Sequence, residues 1–292
     1  MLYNDESING SIETQRRRDR VLPYPHINPE IVRIGPVALR WYGLMYAVGF
    51  AASYLLVRRQ IREMSQGSSG KGRAQKRAAF PEAFLDSLYT YLVLGLVIGA
   101  RLGYVVFYDL ASYAGKPLEI FAVWHGGMSF HGGMIGTLLA GYLCCRKYHA
   151  DYWLAADFVV VTAPIGLGLG RLGNFINGEL YGRATDVPWA MVFPGGGPLP
   201  RHPSQLYEFG LEGVLLFAIL WLAKDRRHAP GMMTALILIL YGLFRFFVEF
   251  FREPDAQLGF ITGPFTMGQI LSALTTAAGV ILYFLRKKAP AD

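Results

Sequence analysis

The chain has 292 residues, of which 53% are hydrophobic and only 17% charged, with a formal net charge of +7. So little charge would not cover the surface of a soluble domain of this length, so membrane residence is expected. The basic residues fall in short clusters between apolar runs instead of forming a stripe, which argues against a nucleic-acid partner.

Residues 1–36 read as a polar N-terminal tail without a short apolar core, so no cleaved signal peptide is expected and the spans themselves direct insertion. Residues 37–292 read as a single polytopic membrane domain. Seven apolar segments lie at 38–57, 84–107, 129–146, 153–173, 205–223, 231–251 and 264–285, each long enough to cross about 30 Å of hydrocarbon. Backbone polar groups cannot go unpaired in lipid, so the fold class is an all-α membrane protein, a bundle of about seven transmembrane helices. Gly95 and Gly99, and Gly166 and Gly170, supply small faces that let helices approach closely. The stretch from about 66 to 79 is rich in Gly, Ser and Lys and reads as a flexible cytoplasmic loop. Cys144 and Cys145 are adjacent, without metal-ligand spacing, and read as plain helix-end residues. Between spans four and five, residues 174–204 are broken by Pro188, Pro194, Gly195–Gly197, Pro198 and Pro200, and read as a small outer-face cap of loops and short strands.

Orientation follows from the basic loops. Arg58, Arg59, Arg62, Lys71, Arg73, Lys76 and Arg77 follow span one, Arg146 and Lys147 follow span three, Lys224, Arg226 and Arg227 follow span five, and Arg286–Lys288 follow span seven. The opposite loops hold only Lys116, Arg183, Arg201 and Arg252. The positive-inside rule puts the C-terminus in the cytoplasm and the N-terminus outside, although Arg16, Arg17, Arg18 and Arg20 in the tail oppose it.

Ionisable groups inside spans are costly, so each is a functional candidate. Arg101, Arg171 and Arg245 qualify. Tyr241, Arg245, Glu249 and Arg252 share one helical face, which would also serve an ion pair that merely holds span six. Arg101 has no near acid in sequence, and Glu208 and Glu212 on span five are possible partners for the arginines. A second constellation, GRLGNFINGELYGR at 170–183, gathers Arg171, Asn174, Asn177, Glu179 and Arg183 among four glycines where span four ends. Glycines admit close backbone approach and arginine forks suit phosphate oxygens, which favours an anionic lipid headgroup over an ordinary helix end. A third, HGGMSFHGGMIG at 125–136, places His131 at the outer start of span three, where a histidine is either structural or a base near neutral pH. The fourth, RHPSQLYE at 201–208, brings His202 and Glu208 towards the same face. All four blocks lie at outer helix ends, as one shared site requires.

These residues resemble the bacterial prolipoprotein diacylglyceryl transferase family from about Ile34 to Leu285. The resemblance is carried by VALRWYGLMYAVGF at 37–50, GGMSFHGG at 126–133, GRLGNFINGELYGR at 170–183, RHPSQLYE at 201–208 and YGLFRFFVEFFREPDAQ at 241–257, in that order. It implies transfer of a diacylglyceryl group from phosphatidylglycerol to the lipobox cysteine of a prolipoprotein signal peptide, with release of glycerol phosphate, at the bacterial inner membrane. By the same resemblance, His131, Arg171, Asn174, Glu179, Gly182 and Arg245 match the family's critical positions, and Tyr42, Glu249 and Arg252 match further important ones. Catalytic roles are therefore expected for His131, Arg171, Glu179 and Arg245, and substrate binding for Tyr42, Asn174, Gly182, His202, Tyr241, Glu249 and Arg252. The chain departs from relatives in its long polar tail, a short stretch at 184–200 and Arg40 before Trp-Tyr-Gly.

The residue types suit that chemistry. A thiol is only a few per cent thiolate at pH 7, so a base or a positive field helps. The anionic leaving group needs its charge stabilised, which Arg171 and Arg245 could do as a phosphate clamp, with His131 as thiol base. Neither a metal cluster, a nucleotide loop nor a redox motif appears, so no cofactor and no metal are expected. A secondary transporter for an anionic substrate would also bury arginines, but would show internal repeats. An intramembrane serine protease using Ser129 or Ser204 lacks the G-x-S-x-G elbow.

Overall fold

The computed structural model describes residues 21–35, 37–66, 80, 81, 83–122, 126–226, 228–254, 260–263 and 265–287. Arg16–Arg18 and Arg20 of the tail, Lys71, Arg73, Lys76 and Arg77 of the predicted loop, His125, Arg227 and Lys288 lie outside the described residues. The chain packs as two compact units where the sequence reads as one domain. One joins the residues up to Ser53 to those from Val159 onward, and the other is Tyr54–Phe158. Both cuts fall inside helices, where no loop composition could announce them.

In the first unit, β1 (Glu30–Ile34) and β2 (Val37–Arg40) form an antiparallel hairpin leading into α1 (Trp41–Gln66). Packing starts earlier than a tail ending at residue 36 would place it. Tyr24 is 7% exposed, its ring meets Phe175 and Phe193, and its hydroxyl donates to the Phe175 carbonyl at 2.6 Å. Helices α5 (Tyr152–Val160) and α6 (Ala163–Asn177) are one apolar stretch bent by 43°. Pro164 in the first turn of α6 accounts for the break, since it lacks an N–H to continue the ladder. At the bend the buried Thr162 hydroxyl meets that of Ser53 at 2.6 Å. Helix α7 (Ser204–Ala223) contains a π-helical stretch over Phe209–Leu215. It is followed by α8 (Met232–Val248), a second hairpin of β3 (Phe260–Thr262) and β4 (Phe265–Thr266), and α9 (Met267–Lys287). An apolar cluster of Val161, Leu216, Leu220, Met233 and Ile237 ties α6, α7 and α8 together through its neighbours.

In the second unit, α2 (Phe84–Tyr108) lies against α4 (Phe130–Tyr148), with the short helix α3 (Leu110–Gly115) and a 3-10 turn over Pro117–Phe121 between them. The contact is glycine on glycine: a Cβ built on Gly99 would stand 2.7 Å from Gly136 Cα, and one on Gly103 equally far from Gly132 Cα. The outward faces carry Leu94, Ile98, Leu102, Val106, Ile135 and Leu139, all exposed. Cys144 and Cys145 are free thiols buried in α4.

Helices or the bent pair coincide with each of the seven predicted segments. Three of them, Phe84–Tyr108, Ser204–Ala223 and Met267–Lys287, are long and apolar enough to cross a membrane, and the bent pair makes a fourth. Met232–Val248 is apolar but shorter, while α1 carries Arg58, Arg59, Arg62 and Glu63 in its second half and α4 is rich in glycine. Among the described residues the protein is thus mostly helical, with three or four elements long and apolar enough to cross a membrane. Residues 178–203 contain isolated bridges, Gly182 with Arg252, Ala184 with Arg201 and Met191 with Arg201, in place of the short strands expected there. Prolines and glycines interrupt any longer ladder.

Candidate active site

Helices α6 and α7 approach closely because both carry glycine at the crossing: a Cβ on Gly168 would lie 3.0 Å from Gly213 Cα. One turn beyond Gly168, Arg171 reaches across to α7, where its Nε is 2.7 Å from Glu208 Oε2. Arg245 on α8 donates to the same oxygen at 2.8 Å, and Arg252 donates to Glu208 Oε1 at 2.9 Å. Glu208 has no solvent exposure. One carboxylate therefore gathers three arginines from segments far apart in sequence. Burial of such a carboxylate is tolerable only because each oxygen is met by a charged donor.

Glu212, one turn further along α7 within the π-helical stretch, is also fully buried. Its oxygens stand 3.9 Å from Arg171 and 4.0 Å from Arg245, beyond hydrogen-bond reach. Glu249 closes the cluster, 2.9 Å from Arg245 Nη2 and 3.5 Å from Arg252 Nε. It also accepts from the Thr266 hydroxyl at 3.0 Å. Thr266 caps α9 reciprocally with Gln269, through Gln269 N–H to Thr266 Oγ1 at 3.3 Å and Thr266 N–H to Gln269 Oε1 at 3.1 Å. Glu249 thus lies at the N-terminus of α9, where the helix dipole favours an anion. Gly268 makes room for it, since a Cβ there would stand 2.5 Å from the Glu249 Cδ.

The side chains of Arg171, Arg245 and Arg252 are 22%, 15% and 9% exposed. Arg171 and Arg245 keep the most accessible surface, and Arg252 sits behind them. Tyr241, one turn before Arg245, packs against the apolar cluster of α7 and α8.

The end of α6 is shaped by Gly178 in the left-handed region (φ 67°), with Glu179 N–H returning to the Asn174 carbonyl at 3.1 Å. That turn places the exposed Glu179 carboxylate within reach of two amides: Asn174 Nδ2 donates to Oε1 at 2.8 Å and Asn177 Nδ2 at 3.1 Å. Leu180 follows with φ 56°, an uncommon conformation for a residue with a Cβ. The first turn of α7 holds it there, through Gln205 Nε2 to Glu179 O at 2.7 Å and Ser204 Oγ to Leu180 O at 3.1 Å. Tyr42 on α1 lies beside this helix end. A Cβ on Gly173 would stand 2.8 Å from its ring, and its hydroxyl is 3.1 Å from that of Tyr46.

Gly182 is the pivot between the broken segment and the arginine cluster. Its N–H donates to His202 O at 2.8 Å, while the next residue, Arg183, donates through its N–H to Phe251 O at 2.9 Å and through Nε to Arg252 O at 2.7 Å. His202 is half-buried, with its ring against Phe251 and Nδ1 3.1 Å from the Tyr207 hydroxyl. Burial holds its pKa below the usual histidine value. Its ring meets Phe251 and Tyr207, and its backbone N–H donates to the Arg183 carbonyl at 3.0 Å.

His131 belongs to the other unit. It is exposed in the first turn of α4, whose N-terminus is capped by Ser129 Oγ accepting from Gly132 N–H at 3.3 Å. Ser129 and Ser204, either of which the protease reading could use, cap α4 and hold Leu180 respectively.

Of the expected residues, Arg171, Arg245, Glu249 and Arg252 meet in one cluster, and Asn174 and Glu179 pair at the neighbouring helix end. Glu208, Glu212, Thr266 and Gln269 complete the arrangement without having been expected as site residues. In sequence the two acids are possible partners of the arginines, and Glu208 also closes the RHPSQLYE block; the capping pair Thr266-x-x-Gln269 is legible from its spacing.

A family model described as prolipoprotein diacylglyceryl transferase matches residues 29–285. A relative from Desulfotalea psychrophila is 51% identical over 268 residues, 90% of this chain and 94% of that protein. One from Geobacter sulfurreducens is 52% identical over 251 residues, covering 86% and 92%. One from Bordetella bronchiseptica is 51% identical over 271 residues, covering 92% and 99%. Each is named phosphatidylglycerol–prolipoprotein diacylglyceryl transferase.

Proposed function

Since the chain belongs to the prolipoprotein diacylglyceryl transferase family, we propose that Arg171 and Arg245 hold the lipid phosphate while Glu208 sets their orientation. The protein is a transferase that moves a diacylglyceryl group from phosphatidylglycerol to a prolipoprotein. The observation that carries the assignment is the meeting of the two least buried guanidinium groups of the cluster on one oxygen of a fully buried carboxylate.

In the proposed reaction the acceptor is the lipobox cysteine thiol beside the signal peptide. Its thiolate attacks the glycerol carbon that bears the phosphate oxygen, a C–S bond forms, the C–O bond breaks, and glycerol phosphate leaves with the electron pair. Negative charge grows on the phosphate oxygens as it leaves. Donors already oriented in a water-poor site stabilise that charge without having to reorganise. Glu249 and Arg252 keep the cluster in register from behind, with Tyr241 packed alongside. Glu179, held by Asn174 and Asn177, faces outward as the polar contact for the glycerol headgroup, with Tyr42 beside it and Gly182 and His202 shaping the adjoining loop. His131 is the proposed thiol base, on the chemistry of imidazole and the block that carries it. The bundle is proposed to have seven spans in the bacterial inner membrane, with the N-terminus outside, residues 174–204 as an outer cap, and the C-terminus in the cytoplasm, as the basic loops favour.

The test uses purified protein in detergent with phosphatidylglycerol and a synthetic lipobox peptide, read by mass spectrometry. The expected result is a diacylglyceryl adduct on the peptide cysteine that is lost in Arg171→Ala and Arg245→Ala. Full activity in both variants would overturn the phosphate clamp, while retained activity on a Cys→Ser peptide would overturn the thiol acceptor.

A further inference from the structure

Arg101 lies on α2 with 4% of its surface exposed, and its donors are spent on backbone carbonyls. Nε donates to Ile120 O at 2.8 Å, Nη1 to Gly126 O at 2.5 Å and Gly127 O at 3.1 Å, and Nη2 to Glu119 O at 2.6 Å and Ala122 O at 3.2 Å. The guanidinium carbon also sits 5.0 Å from the centre of the Tyr113 ring. A buried cation met by five carbonyl dipoles and a ring face is an organiser of main chain, because only a guanidinium offers five donors in a fixed plane.

The main chain it organises leads directly to His131. Gly126 and Gly127 adopt φ of 85° and 73°, turning the chain so that both carbonyls face Nη1. Two residues on, Ser129 N–H donates to Ala100 O at 2.8 Å, the residue next to Arg101, and Ser129 then caps α4. Gly132 and Gly103 pack backbone to backbone immediately after. His131 is therefore fixed from both sides: by the Arg101 clamp upstream and by the glycine contact downstream. A lysine at 101 would keep the charge but could not span these carbonyls.

We propose that Arg101 is a positioning residue for His131, acting on it through the carbonyls of Gly126 and Gly127. This rests on the proposed role of His131 as thiol base, and a double-mutant cycle separates the two ideas. Transfer of diacylglyceryl from phosphatidylglycerol to a lipobox peptide is measured for the wild type, Arg101→Lys, His131→Gln and the double variant, with kcat and KM for the lipid resolved. Arg101→Lys is expected to lower kcat about a hundredfold with KM changed less than about threefold, the scale of a misplaced catalytic group. In the His131→Gln background the same change is expected to cost less than about threefold, because the group it positions is gone. Equal losses in both backgrounds, or no loss in the wild-type background, would overturn the positioning role. Wild-type rates in His131→Gln alone would instead remove the base and the inference with it.

Gly127→Ala supplies a second route should Arg101→Lys not fold. A Cβ there would stand 2.6 Å from the Tyr104 ring and 3.0 Å from Arg101 Nη1, disturbing the seat without stranding a buried charge. The same non-additivity with His131→Gln is expected, and additive losses would overturn the proposal.

Discussion

Arg245 and Glu208 form an ion pair at 2.8 Å that joins α8 to α7, and the oxygen they share is the one that Arg171 reaches from α6. Three helices are thereby tied at one atom. Removing the carboxylate takes from Arg171 its partner at 2.7 Å and leaves the largely buried Arg245 and Arg252 to share Glu249. Glu208→Ala is expected to destabilise the protein by about 3–5 kcal/mol, the usual cost of stranding the partners of a buried ion pair. Thermal unfolding in detergent reads the effect, and Glu208→Gln should fall between the two. An unchanged unfolding temperature in the alanine variant would mean that the arginines are held by something else.

Arg245→Lys keeps the charge and discards the fork that spans Glu208 and Glu249. Transfer is expected to drop roughly a hundredfold, the scale for losing one oriented donor to a developing anion. Steady-state rates at saturating phosphatidylglycerol decide it; wild-type turnover would make the fork geometry irrelevant.

Gly182→Ala tests packing alone. Its new methyl would meet Phe251 O and stand 2.7 Å from His202 Cβ and 2.9 Å from His202 O, two of these three being main-chain atoms that cannot rotate away. The expected cost is about 1–3 kcal/mol, together with loss of activity, because the strand-like contact with Arg252 must open. Parallel unfolding and activity measurements check both parts.

His202 gives the protein an acid-side dependence. Burial disfavours its charged form, so its folded pKa lies below the unfolded value of about 6.5. Above that value neither state is protonated and the group is neutral to stability. As the pH falls through it, the unfolded chain takes up a proton that the folded one refuses, and stability declines until the folded pKa is passed. The unfolding temperature should therefore fall on acidification from about pH 7, less so in His202→Gln. Parallel curves for the two proteins would sink this assignment.

Hydropathy made the helices legible because a membrane demands long apolar runs with paired backbones. Each of the seven apolar segments overlaps helical chain, although the first takes in part of β2 and the last takes in β4, and the charged residues inside them point to Arg171, Arg245 and Glu249. Other features were hidden for local reasons. The β1–β2 hairpin turns at Gly35, with φ 59°, but its alternating residues were read as the end of a polar tail and the start of a span. The π-helical stretch over Phe209–Leu215 has no sequence periodicity of its own, so the sequence shows Glu208 and Glu212 on one face of a helix without showing the π-helical turn between them. The convergence on Glu208 joins residues 37 and 44 positions apart, and no spacing rule reaches that far. In sequence Arg101 is an arginine without a near acid; that carbonyls answer it depends on where the chain returns.

The glycine contact between α2 and α4 has a consequence for adaptation. Gly99 faces Gly136 and Gly103 faces Gly132 with main chain against main chain, so no side chain can change rotamer to let one helix creep past the other. The two helices are held main chain against main chain along this seam. Their outward residues, Leu94, Ile98, Ile135 and Leu139 among them, can therefore be exchanged to suit a thicker or thinner bilayer while the height of His131 relative to Arg101 stays the same.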